Sequence, residues 1–421
     1  MRAMSEIVAL RYMTRFACKG GECEDTCCQH WNVSVDEVHY RALERRMAEP
    51  AEHARFEAAF ALKPEGQRSA ESFATIRMTV ESAPTSRAAP SCSLLTDDGA
   101  CSIHRRYGEP ALPDVCSFYP RYVSQVGDRV ELAGSLSCPE VVRQALIASD
   151  GVALVEAEAA LLGRAPVVQR PRAEDAGLLD ELRGRLWMLL DRREHPLATR
   201  LYFATWLADA AAALLADEPA ARDALDEELE LSTSEAVLAE LAAERALHRQ
   251  PSPEGLLALA TRIVRLRSAV RADFAAEIDA VLDSYCAQGV MQREGGALVL
   301  EESFAPAWAE RVARFDPATL AAVDDWLTSY ARNYCFTQLP ASPAGLGSHL
   351  RELVARVAAL RFLTLSGPGL DGDRAALERR FVRVVYLTAR LVDHAAEVRA
   401  SFVAETEAIE GAVLLGVLAM V

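Results

Sequence analysis

Eight of the chain's ten cysteines (Cys18, Cys23, Cys27, Cys28, Cys92, Cys101, Cys116 and Cys138) fall within 121 residues. Only Cys286 and Cys335 occupy the remaining 300. So dense a run of thiols allows two outcomes, disulfide cross-linking or metal ligation, and the compartment decides between them. The opening stretch, Met1 to Arg15, lacks the apolar run and cleavage site of a secretory signal. The longest apolar run, Gly411–Val421, is far short of the roughly 20 residues that span a bilayer. A cytoplasmic protein without membrane insertion is therefore expected, and there reduced thiols bind metal. The expected fold is mainly α, with a small cysteine-rich N-terminal metal-binding region carrying a short β-hairpin, followed by a large helical domain.

The first block reads Cys18-Lys-Gly-Gly-Glu-Cys23-Glu-Asp-Thr-Cys27-Cys28. Gly20 and Gly21 suit a loop that wraps an inorganic centre, since glycine tolerates tight turns and lets amides approach sulfur. Structural zinc favours paired Cys-x2-Cys knuckles. Spacings of four, three and none in this block, then eight, 14 and 21 after Cys92, fit that template poorly. An iron–sulfur cluster is the first expectation and zinc the second, because both prefer thiolates. Adjacent Cys27 and Cys28 have diverging side chains in any regular backbone, so they reach one centre only through an irregular turn. Eight thiols can serve two four-ligand sites, or four can bind while others pack nearby. Spacing alone leaves both open.

Local patterns divide the chain into residues 1–162 (cysteine-rich), a linker at 163–174 containing Pro166 and Pro171, and a helical domain at 175–421. Ser34 with Glu37 forms a capping-box pattern for a helix running to about Leu62. Phe73–Val80 alternates like a strand, and Gly127-Asp128 marks a hairpin between Tyr122–Val126 and Arg129–Ala133. Pro139 opens a helix expected over Val141–Leu162. Helical periodicity places further helices near 175–193, 196–216, 221–247, 253–288, 317–336, 344–365, 371–404 and 405–420, with a hairpin around Gly295-Gly296.

The string Tyr12-Met13-x-x-Phe16-x-Cys18-x4-Cys23-Glu24-Asp25-x-Cys27-Cys28-x-x-Trp31 resembles the opening of flagellin lysine N-methylases. The resemblance continues in Asp98-Gly99-x-Cys101-x-Ile103-His104, in Pro113-Asp114-x-Cys116-x-x-Tyr119-Pro120-Arg121 and in Ser135-Leu136-Ser137-Cys138-Pro139-Glu140. A weaker echo lies in Tyr330-x-x-Asn333-Tyr334-x-Phe336. A broader family of zinc- or iron-chelating cysteine domains shares the Cys-Cys plan. The resemblance implies methyl transfer from S-adenosylmethionine to lysine side-chain amines of flagellin, with a four-iron (4Fe-4S) cluster involved. All eight clustered cysteines are the expected metal ligands. Glu24, Asp25, His104 and Tyr119 are candidate bases, because an amine must be neutral to attack. Arg105 and Arg121, with Arg106 beside them, are candidates to neutralise a cluster or the donor's carboxylate.

Other signals are weaker. Net charge is −16; that sign repels phosphate backbones, which disfavours a nucleic-acid role and suits a cationic target. Gly367-Pro-Gly369-Leu-Asp-Gly372 spells a dinucleotide-binding pattern, but it follows a helical run rather than a strand and reads as a turn between helices. No glycine-rich donor loop and no Cys-x3-Cys-x2-Cys occurs. His30 reads as an ordinary polar contact, Trp31 and Phe118 as packing around the metal loop, and Cys286 and Cys335 as core cysteines. The alternative to an enzyme is a non-enzymatic zinc- or iron-binding module on a helical interaction scaffold; an electron-transfer protein is a third reading. Oligomeric state is not legible.

Overall fold

The computed structural model describes residues 6–29, 33–79, 90–169, 175–217, 222–248, 250–269, 272–294, 297–338, 340, 342–370, 373–394, 397–400 and 411–421. The fold is mainly α with a small N-terminal β region. A five-stranded mixed sheet runs in the order Val167–Gln169, Arg121–Val126, Arg129–Gly134, Ile7–Leu10, Leu154–Glu156. Its centre is the expected hairpin, paired from Arg121↔Gly134 to Val126↔Arg129, with Gly127 at φ +58°. Only glycine takes that turn conformation without strain. Ile7–Leu10 pairs parallel to the second hairpin strand, which brings Tyr12 and Met13 beneath Gly134. A Cβ at Gly134 would lie 2.8 Å from Met13 Sδ.

Residues 33–116 build a separate small core. The Ser34–Val35, Ala74–Ile76 and Phe60–Leu62 strands cover Tyr40, Leu43, Phe56 and Phe73. Here the structure corrects the capping expectation. Asp36, not Ser34, caps the helix, accepting from His39 N at 2.9 Å, and Ser34 is already in a strand. The helix ends at Arg46, a second runs over Pro50–Ala59, and Phe60–Leu62 is a strand. Proline at the first helical turn starts a helix but cannot continue one, so the expected single helix is two.

The helix expected over Val141–Leu162 is also short. Pro139–Val142 is helical, Arg143–Ile147 widens into a π turn, and Leu154–Glu156 leaves to join the sheet. Tight backbone packing explains the break, since a Cβ at Gly151 would sit 2.4 Å from Gln144 O.

Beyond Asp175 the helices follow their periodicity at Ala176–Leu190, Leu197–Asp217, Pro317–Thr337 and Leu346–Leu365, whereas the helix expected over 371–404 spans Arg374–Val392 and gives way to a turn at Asp393-His394. The expected 221–247 helix is broken at Thr233, where Ser234 caps a new one, and the 253–288 expectation is met by Pro253–Ala269 and Ala272–Cys286, with residues 270–271 outside the described ones. Phe304–Val312 is an additional helix, and the hairpin Met291–Glu294/Ala297–Leu300 forms as expected. Leu346–Leu365 is buried almost end to end, a helix apolar all round as the centre of an array must be. Gly367–Leu370 lies between that helix and the next, which fits the interhelical-turn reading. The last helix, Ala412–Leu418, crosses Pro253–Ala269 so closely that a Cβ at Gly255 would lie 2.4 Å from Gly416 carbonyl carbon. No helix among the described residues is long and apolar enough to cross a membrane.

Two hydrophobic clusters result. The larger joins the five-stranded sheet to the helices, and the smaller belongs to residues 33–112.

Candidate metal and active site

A cavity of about 520 Å³ opens where the two cores meet, and all eight clustered cysteines line it. Sequence separation of up to 120 residues is closed by three devices. Cys92 N donates to Cys28 O at 2.8 Å, stitching the first cysteine block to the second. Gly21 lies so near the Asp98 carbonyl that a Cβ would sit 2.7 Å from it, with Gly20 at φ +55° making the turn. Arg390, on the helix Arg374–Val392, donates to Ser137 O at 3.0 Å and pairs with Asp25 at 3.2 Å, which fastens both blocks to the helical array.

All ten cysteines are free thiols. Cys286 is half-buried against the large core and Cys335 is buried within it, both away from the cavity.

The eight thiols divide between the cores. Cys92 is buried in the small one, with Cys28, Cys101 and Cys116 packed against it. Cys138 is buried in the large one, and Cys23, whose Sγ donates to Asp25 O at 3.1 Å, lies beside the Asp25–Arg390 pair. Cys18 and Cys27 are exposed on the cavity side. Burial pushes Cys92 and Cys138 up to about 12 and also raises Cys23, Cys101 and Cys116, because nothing in the cavity wall fully compensates a thiolate. Cys27 is held protonated chiefly by its hydrogen bond to Cys28, which the same bond lowers to about 7. Gly20 N nevertheless donates to Cys18 Sγ at 3.4 Å, and the neighbouring amides of Leu94 and Leu95, of His104 and Ile103, and of Val141 and Glu140 partly offset burial at Cys92, Cys101 and Cys138. Amide donors of this kind support thiolates bound to iron.

Of the other expected residues, Asp25, His104, Tyr119, Arg105 and Arg121 line the cavity. Asp25 is buried, His104 stands exposed at the rim, and Tyr119 bonds Ser137 Oγ at 3.0 Å. Arg105 is paired with Asp98, and Arg121 is fastened to the Leu161 and Ser117 carbonyls at 2.9 and 3.3 Å. Two are not brought in. Glu24 is paired with Arg143, and Arg106 turns to Glu52 at 2.6 Å. A charged partner within reach outcompetes water for each. His30 and Trp31 lie outside the described residues, and Phe118 is half-buried.

Sequence reasoning missed Arg390 and His394, whose Nε2 lies 2.9 Å from Ser137 Oγ. Neither has a local signal, because Arg390 reaches the cavity, and His394 reaches Ser137, from the far end of the chain. Ser137 lies inside the quoted Ser-Leu-Ser-Cys string, and that was its only signal. The weak echo is likewise structural. Tyr12 OH accepts from Gly134 N at 2.7 Å and donates to Asn333 Oδ1 at 3.0 Å, so Asn333 locks the first motif to the bundle. Away from the cavity, Asp36, His39 and Asp114 place three possible ligand atoms within 4.8 Å of one another, but Arg164 already pairs with His39 and Asp114.

No known family profile and no solved structure matches the chain. The lysine-N-methylase of Salmonella typhimurium is 27% identical over 145 residues, 34% of this chain and 33% of that protein. Its Salmonella choleraesuis counterpart is 26% identical over the same shares. The flagellar biosynthetic protein FliU of Salmonella muenchen is 26% identical over 145 residues, 34% of this chain and 79% of its own. The match thus spans about a third of the length of the lysine-N-methylases. Over that third, the chain is a relative of the Salmonella lysine-N-methylase and FliU proteins.

Proposed function

We propose that this chain is a protein-lysine N-methyltransferase that acts on flagellin with S-adenosylmethionine as methyl donor, and that its clustered cysteines hold an iron–sulfur cluster. The convergence of all eight thiols on one cavity wall carries this reading. The names of the relatives, lysine-N-methylase and FliU, support its methylase and flagellar parts. The irregular spacing of the cysteines in the chain, unlike the paired Cys-x2-Cys knuckles of structural zinc, favours a multi-iron centre. A cluster there supplies a redox-active, anionic centre beside the substrate cavity.

The chain's own residues do the rest. Arg390, fixed by Asp25 and Ser137 in the cavity wall, balances negative charge at the thiols. Asp25 in the wall and His104 at the rim are the groups that can take a proton from the entering ammonium, whereas burial holds the Tyr119 phenol protonated, so it serves as a hydrogen-bond donor. The net charge of −16 favours encounter with a lysine-bearing target.

The test is anaerobic reconstitution with iron and sulfide, then incubation with flagellin and donor, with methyl-lysine read by mass spectrometry. Brown, iron- and sulfide-containing protein that methylates flagellin is expected. Colourless zinc protein, or cluster-loaded protein that leaves flagellin unmodified, overturns the reading and returns the chain to a metal-binding module on a helical scaffold.

A further inference from the structure

We infer that the eight cysteines form two separate four-thiolate centres, one built from Cys28, Cys92, Cys101 and Cys116 and the other from Cys18, Cys23, Cys27 and Cys138. Each takes one thiophilic centre, an iron–sulfur cluster or a zinc ion. The inference rests on the reading that these thiols bind metal, but not on the methylase activity.

The division follows the two hydrophobic cores. Cys92 is an interior residue of the small core, and Cys28, Cys101 and Cys116 are the cysteines packed on its surface. Backbone bonds bind this group together: Cys92 N to Cys28 O, Leu95 bridged to Cys101, and Ser102 N to Leu94 O at 2.9 Å. Cys138 instead belongs to the large core. Around it stand Cys23, joined to the Asp25 backbone, and Arg390, joined to Ser137 and Asp25.

The loop geometry agrees with this partition. Lys19 reaches Glu140 at 3.9 Å and Glu24 pairs with Arg143, which lays the loop carrying Cys18 and Cys23 against the helix that begins after Cys138. Cys27 is the remaining thiol of the cavity wall. Cys27 and Cys28 then contribute one thiol to each group, so the tandem pair joins the two centres.

The two sites differ in surroundings. The first is set in apolar packing of a small core and acts as a staple for residues 33–116. The second faces Asp25, Tyr119 and Arg390 and borders the reaction.

The experiment compares the full-length wild type with Cys27→Ser, Cys28→Ser, Cys101→Ser and Cys23→Ser, and with the double variant Cys23→Ser/Cys101→Ser. All are reconstituted anaerobically, and iron, sulfide and zinc are counted per chain. Expected are two centres in the wild type, a twofold drop in each single variant, and none in the double variant. Trypsin resistance of residues 33–116 should fall with Cys28→Ser and Cys101→Ser and stay with Cys27→Ser and Cys23→Ser. That contrast is read on soluble protein, so a variant that misfolds globally is recognised by loss of far-ultraviolet helicity.

One centre in the wild type, abolished by variants of both groups, overturns the partition while leaving metal binding intact. One centre abolished by a single group and untouched by the other overturns it too. No metal in the wild type removes the underlying metal reading as well.

Discussion

Asp25 and Arg390 meet at the cavity wall, where the Asp25 side chain is 1% exposed and that of Arg390 20%. A buried carboxylate that loses its cation costs far more than a surface pair. Arg390→Met should therefore lower stability on the order of 3 kcal/mol, discounted little for solvent because the carboxylate side is enclosed. Denaturant midpoints would check this, and a variant as stable as wild type would show that the pair is ornamental. By contrast Arg293, paired with Asp279 and Asp283 on the surface, should cost under about 1 kcal/mol when replaced by alanine. Cys335 shows the other use of a thiol. It is 1% exposed in the large core, so Cys335→Ala should cost about 1 kcal/mol of packing and release no metal.

Helix contacts set the next scale. Gly255 and Gly416 let two helices touch backbone to backbone, so Gly255→Ala must push them apart. The gain in helix propensity, about 1 kcal/mol, is smaller than the clash with main chain that has no rotamer to escape into, and net destabilisation of about 1–2 kcal/mol is expected from thermal unfolding.

On Leu346–Leu365, His349 is stacked on Tyr334 with ring centroids 4.5 Å apart, and its Nε2 is buried without a hydrogen-bond partner. Burial lowers its pKa from 6.5 to about 4. The folded state resists the proton that the unfolded state accepts, so this histidine's stabilisation is complete above pH 6.5 and is lost as pH falls toward 4. The loss amounts to about 3 kcal/mol at pH 4. His349→Phe keeps the stack and should flatten stability between pH 6.5 and 4; an unchanged slope would sink the assignment.

For the whole molecule, the two cores predict an uneven response to metal. The large core is held by sheet-to-helix burial and needs no thiolate, whereas the small one is short of apolar residues and is closed on one side by four cysteines. Metal binding supplies folding energy to such units. Chelation should leave far-ultraviolet helicity nearly unchanged while residues 33–116 become sensitive to protease and the first unfolding transition moves down by several degrees. A single transition that collapses both regions together would show that the cores are not separable.

Much was determined by the chain alone. Helical periodicity located Pro317–Thr337 and Leu346–Leu365 within two residues at each end, since an apolar stripe has few ways to be buried. Gly127-Asp128 specified its hairpin because turn chemistry is local. Likewise, eight thiols in one stretch pointed to a shared site through residue type and density, and all eight line one cavity.

Where the helix after Asp36 stops, why residues 143–156 leave the helical path and which cysteines pack on which core were decided only in three dimensions. Pro50, the crowded backbone at Gly151 and the two competing cores act through space or through neighbours that periodicity does not register. Arg390 and His394 make the same point. A side chain's place at a site depends on where its helix packs, and that packing energy is shared among residues far away in the chain.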